Sequence, residues 1–150
     1  MIDKKIFKKA FSAPLEKAGF TKKGQTWYLD GRDTIVVVNL QKSNYSEDYY
    51  VNVGIWLKAL GDASFPQVEY CQLNYRMENL FPDQLTLIRQ GCSLAYSDAE
   101  LLTGLSDFLA EKFIPFAQSC TDDHHIRELF AQGDLKRGLI FMEARKYLQE

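Results

Sequence analysis

Apolar positions change their period along the chain, and that change organises the reading. From Asp3 to Ala18 they fall at helical spacing: Ile6, Phe7, Ala10, Phe11, Leu15 and Ala18. An amphipathic helix is predicted there. Pro14 lies inside the stripe and should kink or shorten it, because proline lacks an amide donor and crowds the preceding turn. Gly19 suits the position just past the helix, where a left-handed residue is needed.

The period then drops to two. Gln25 to Leu29 reads as a short aromatic strand. Asp30-Gly31 is a strong hairpin signal, since tight turns call for positive φ. Asp33 to Ser43 is a second strand, Asn44 to Asp48 a polar loop, and Tyr49 to Lys58 a third strand. Gly61, Asp62 and Pro66 mark a longer connection. Val68 to Met77 alternates as a fourth strand.

Helical spacing returns in the second half. Leu80 to Tyr96 is ambiguous, although Pro82 as a start and Gly91 as a stop fit a short helix. Ser97 and Glu100 match a capping box. Behind them Leu101, Leu102, Leu105, Phe108, Leu109 and Phe113 form an apolar stripe. Thr121 or Asp122 should cap a further helix ended by Gly133. Asp134 should cap the last, with Leu135, Leu139, Phe141 and Met142 partly buried. The expected fold is therefore α+β: an N-terminal helix, an antiparallel sheet of four or more strands, and C-terminal helices packed on one sheet face. Residues 1–150 read as a single domain without repeat or linker.

Strand parity divides the sheet into two faces. A hairpin joining the second and third strands sets Asn39 beside Asn52 and Gln41 beside Tyr50. One face then carries Val36, Val38, Leu40, Val51, Val53 and Ile55, which need helices over them. The other carries Asn39, Gln41, Tyr50, Asn52 and Trp56. The fourth strand adds Gln72, Asn74 and Arg76 if its parity matches, and Tyr28 joins from the first strand if its turn keeps a two-residue register. A solvated polar face is common in antiparallel sheets. Two asparagines side by side on strands still ask for a reason, because asparagine is depleted there. Amides and arginine read planar polar groups, and aromatic rings supply contact area. Asn39, Gln41, Tyr50, Asn52, Trp56 and Arg76 are the candidate ligand- or partner-binding residues.

Composition supports a packed core. Of the 150 residues, 46% are hydrophobic and 25% charged, which are globular values. A chain of this length buries roughly 70% of its unfolded surface, so no disulfide or metal staple is required. Cys71, Cys92 and Cys120 are an odd, sparse set without CxxC spacing. The lysine-rich start lacks the apolar run of a secretory signal. No stretch approaches the roughly 20 apolar residues of a membrane span. The cytoplasm is the expected compartment, with no membrane contact.

Charge is uneven. Residues 1–42 hold nine Lys/Arg against four Asp/Glu, and residues 43–150 hold nine against sixteen. Lysines near Phe7, Phe11, Phe20, Trp27 and Tyr28 raise nucleic-acid binding as one reading. Against it, Phe7 and Phe11 belong to the apolar stripe, and a pI near 5.7 is low for that purpose.

Several segments carry a family resemblance. They are Gly19-Phe20-Thr21-Lys22-Lys23-Gly24 with Trp27-Tyr28, then Asn39-Leu40-Gln41-Lys42-Ser43, then Tyr50-Val51-Asn52-Val53-Gly54-Ile55, with Arg76 followed by Leu80. Together they resemble a bacterial family catalogued as domain of unknown function 4304, over most of residues 5–80. The resemblance implies a bacterial source and a sheet-plus-helix domain. It implies no activity or catalytic residue.

Cys120, Asp122, Asp123, His124 and His125 form one ligand-like cluster, but a structural zinc site needs four ligands and no second pair stands out. No GxSxG, Walker A, HExxH or GxGxxG pattern occurs. No cofactor is implied. The favoured reading is a binding or interaction domain that meets a protein or small-molecule partner through the polar sheet face, as an adaptor or a neutralising inhibitor. A small hydrolase or transferase with a pocket on that face is the alternative. Oligomeric state is left open.

Overall fold

The computed structural model describes residues 2–150. Helix α1 (Lys4–Lys17) opens on Asp3, whose carboxylate accepts the Lys5 amide at 2.7 Å. Its buried side is Phe7, Phe11 and Leu15, one stripe at steps of four. Ile6 was expected on that stripe but is 56% exposed, because it lies about 100° around the helix from Phe7. The helix also runs through Pro14 without shortening. Proline costs one amide bond there, in the final turn, and its ring is buried with the stripe. Gly19 follows at φ 100°, as the helix end requires.

Six strands then form one antiparallel sheet in chain order: β1 (Thr21–Lys23), β2 (Thr26–Asp30), β3 (Thr34–Lys42), β4 (Tyr49–Leu57), β5 (Leu73–Arg76) and β6 (Leu139–Ile140). The sheet is two strands larger than the four counted from alternation. At one margin β1 folds onto β2 across Gly24–Gln25. At the other, the two residues of β6 pair with β5.

The β2–β3 hairpin exists, but Asp30-Gly31 is not its tip. Asp30 pairs with Ile35, and the Gly31 amide donates to the Thr34 carbonyl at 2.9 Å, so Arg32–Asp33 makes the turn. No residue there has positive φ. The turn is set by docking: the Asp33 amide donates to the Thr121 carbonyl at 2.9 Å, and Asp33 Oδ2 accepts from the Asp123 amide at 2.9 Å. Gly31 is needed for closeness, since a Cβ there would lie 2.2 Å from Thr121 Cβ.

Only Leu73–Arg76 of the predicted fourth strand pairs in the sheet; Val68–Tyr70 is a 3₁₀ turn. The ambiguous stretch resolves into α2 (Met77–Leu80), a 3₁₀ turn at Pro82–Gln84, and α3 (Leu85–Gly91). Helix α4 (Ala99–Phe108) is capped by Asp98, which accepts the Leu101 amide at 2.8 Å. Ser97 was expected in that role; its own amide closes the preceding turn on Ser93, one residue too early to cap. A π-helical turn at Leu109–Phe113 leads into α5 (Ile114–Ser119). The wide turn falls just before Pro115, which has no amide to give.

Asp122 caps α6 (Asp123–Ala131), accepting the His124 and His125 amides at 2.7 and 3.2 Å. Helix α7 (Met142–Gln149) begins after Phe141, not at Asp134. The intervening residues bury Leu135 and supply β6, whereas Leu139 and Met142 are exposed. The main core lies between the sheet and the helices. It joins Trp27, Val36, Val38, Leu40, Val51, Val53 and Ile55 to residues of α1, α4, α5, α6 and α7. Burying each such aliphatic side chain contributes about 1.5–3 kcal/mol. Trp27 Nε1 donates to Ser12 Oγ at 2.9 Å, so its polar edge is satisfied inside.

Candidate functional site

The opposite face takes its residues from strand parity. Asn39 pairs with Asn52, Gln41 with Tyr50 and Ile35 with Trp56. Thr26 pairs with Asn39 and Tyr28 with Val37. Arg76 pairs with Asn52 and Asn74 with Gly54. The β3–β4 register is the one that alternation predicts. These residues share a face, but they fall into two halves with different surroundings.

One half is covered. The connection from Gly61 to Cys71 folds back as a strap over Tyr28, Ile35, Val37 and Trp56, and these form a second small core with Val68 and Cys71. Trp56 Nε1 donates to the Gly61 carbonyl at 3.2 Å. Phe65 meets the Tyr28 ring edge-on at 5.2 Å, and Lys23 Nζ stands 3.7 Å from the Phe65 centroid. Asn74 Nδ2 donates to the Cys71 carbonyl at 2.5 Å. Trp56 and Tyr28 therefore hold the strap, away from the other candidates. A groove of about 830 Å³ remains between the strap and Ile35, with the Lys58–Asp30 ion pair at 2.6 Å along it.

The other half is open. Asn39 Nδ2 donates to Thr26 Oγ1 at 3.0 Å. Asn52 Nδ2 donates to Asn39 Oδ1 at 3.2 Å and to Gln41 Oε1 at 3.0 Å. The result is a lateral ladder of side-chain amides across three strands. Asn52 Nδ2 thus donates twice, and among the described residues no donor is placed on its carbonyl oxygen. Beside it the Arg76 guanidinium carbon lies 4.2 Å from the Tyr50 ring centroid, within cation–π range. The structure thus brings Asn39, Gln41, Tyr50, Asn52 and Arg76 together. Gln72 turns inward and accepts the Leu57 amide at 2.8 Å, so its role is in the backbone.

Thr26, which ends the ladder, is not among the residues that alternation picks out, because the turn lies at Arg32–Asp33 and shifts its register to Asn39. Nor are Glu78, Asn79 and Arg89, which line a cleft of about 420 Å³ running on from Tyr50 and Arg76. Their segment had no readable period.

The remaining chemistry is quiet. Burial pushes the Cys71 and Cys120 thiols up to about 12 and raises Cys92 further, so all three are held as neutral thiols. Cys120 is fully buried, while His124 projects outward onto Glu128 at 3.0 Å. Backbone amides of His125 and His124 hold the Asp122 carboxyl below its usual range. Among the described residues, no group of three or more His, Cys, Asp or Glu is placed to hold a metal. Phe7, Phe11, Phe20, Trp27 and Tyr28 are all buried. No helix among the described residues is long and apolar enough to cross a membrane.

An α+β chain of this kind, with helices over one sheet face and a half-strapped polar face opposite, is what the geometry defines. The chain belongs to the family described as domain of unknown function (DUF4304), whose model matches residues 11–115. No curated protein and no solved structure matches it.

Proposed function

We propose that this is a non-catalytic binding domain of the bacterial cytoplasm that holds a protein partner on the open half of its polar sheet face, as an adaptor or a neutralising inhibitor. The observation carrying this reading is the Thr26–Asn39–Asn52–Gln41 ladder beside the Arg76–Tyr50 pair. Side chains that fix one another laterally lose little further freedom when a partner arrives, which favours association. Aromatic and arginine side chains are also the types that dominate protein interfaces. The three reduced cysteines suit a reducing compartment.

The alternative, a hydrolase or transferase on this face, calls for a titratable group with a strongly perturbed pKa in a pocket. The large shifts belong instead to thiols and a tyrosine inside the cores.

The test is affinity capture from a lysate of the source organism, with the wild-type chain, an Asn52→Ala/Arg76→Ala pair and a Lys112→Ala control as baits. The expected result is a protein held by wild type and control and lost with the pair. Equal recovery on all three baits would remove the face from consideration.

A further inference from the structure

The open half of the face runs past β5 into the cleft between β4 and the α2–α3 helices. Asp48, Tyr50, Arg76, Glu78, Asn79 and Arg89 are the residues that matter there. Its two arginines are differently engaged. Arg89 Nε lies 3.6 Å from Glu78 Oε2. Arg76 is positioned by the Tyr50 ring, and among the described residues its guanidinium has neither an ion-pair partner nor a hydrogen-bond acceptor. It is a cation laid against a ring, with its donors open.

A guanidinium presents planar N–H pairs that match a carboxylate in bidentate fashion. The rest of the cleft narrows the choice of anion. Glu78 is already paired with Arg89 and Asp48 offsets Arg76 on the same wall, so a dianion gains no extra net attraction here and costs more to take out of water than a singly charged group. A carboxylate is therefore favoured over phosphate. The Asn52 carbonyl oxygen stands beside Arg76 in register, an acceptor next to a donor fork. A peptide segment supplies both complements, with an acidic side chain for the fork and a backbone amide for the oxygen.

We infer that the cleft takes an aspartate or glutamate side chain of the protein partner, anchored on Arg76, with Asn52 accepting a neighbouring backbone amide. This rests on the sheet face being a protein-binding surface, and it names the chemistry of the contact.

The experiment is an NMR titration of the full ¹⁵N-labelled chain, following the Arg76 Nε–Hε signal and the backbone amides of residues 50–52 and 76–79. Three probes are compared: N-acetyl-glutamate N-methylamide, its glutamine counterpart, and inorganic phosphate. The expected result is a saturable shift with the glutamate probe and affinity at least about tenfold weaker for the other two. Arg76→Gln should abolish the shift. Arg76→Lys, which keeps the charge but loses the planar fork, should weaken binding at least about fivefold, as should Tyr50→Leu. Spectral dispersion of each variant confirms that it is folded.

Equal shifts with the glutamate and glutamine probes, tighter binding of phosphate, or a shift that survives Arg76→Gln would overturn the inference. If the glutamate probe fails but partner capture is still lost in the Asn52→Ala/Arg76→Ala pair, the carboxylate contact falls and the surface stands. If the probe binds at Arg76 while capture ignores that pair, the carboxylate site stands and the protein surface falls.

Discussion

On the outer sheet face, the half beneath the strap and the half left open are separated by a step of two residues on the same strands. On β3 the step runs from Val37 to Asn39, and on β4 from Gly54 to Asn52. Backbone geometry and parity are common to both halves, so what differs is the cover. Where the strap lies, Val37 is fully buried and joins Tyr28, Ile35 and Cys71. Where none of the described residues lies over the face, the strands carry amides that bond sideways to one another. Neighbouring positions on one strand thus answer to different constraints, packing at one and polar order at the other.

Exchanging residues across that step tests the contrast. Val37→Asn should have the largest effect, because it removes buried apolar surface and leaves an amide without partners under the strap. A loss of about 3 kcal/mol is expected in urea denaturation, and a loss below about 1 kcal/mol would mean that the strap lifts easily. Gly54→Val comes next. Even the first carbon of a side chain there would lie 2.7 Å from Cys71 Sγ, so overpacking should cost about 2 kcal/mol. Gel filtration of the variant should show an unchanged monomer-to-oligomer ratio, since the strain is internal. The converse exchange, Asn39→Val, should change stability by less than about 1 kcal/mol, because valine suits a strand and the site is partly exposed. Its signature is local: one Asn52 amide hydrogen loses its acceptor, and that side-chain NMR signal should move toward the solvent-exposed position while the other stays. Unchanged Asn52 signals would show that the ladder does not persist in solution.

Much of this face was legible from alternation alone. Val38 to Gln41 and Tyr50 to Ile55 alternate, and the hairpin between them sets the β3–β4 register, so Asn39, Gln41, Tyr50 and Asn52 could be placed together without a structure. Arg76 followed once the parity of β5 was known. Trp56 shares that parity, yet it serves the strap. Its setting depends on the path of residues 61–71, which have no period to read. The cleft was invisible for a related reason: Glu78, Asn79 and Arg89 sit on helices of four and seven residues, too short to show a helical repeat. Strands β1 and β6 escaped notice because their pairing is imposed by the neighbouring edge and not by their own composition. Asp30-Gly31 misled because its local turn chemistry was overridden by contacts with Thr121 and Asp123, some ninety residues away in the chain.

The margins of the sheet bear on how any partner must arrive. One outer strand has three residues, two of them lysines, and the other has only two residues. A visiting chain finds almost no main-chain groups to extend there, and the lysines discourage the attempt. Strand addition, one way for a peptide to join a sheet, is therefore a poor route at these two margins, whether the visitor is another protein or a second copy of itself. Approach has to be broadside. Recognition would then be written in side chains, and single substitutions on the flat of the sheet should be enough to change which partner is accepted.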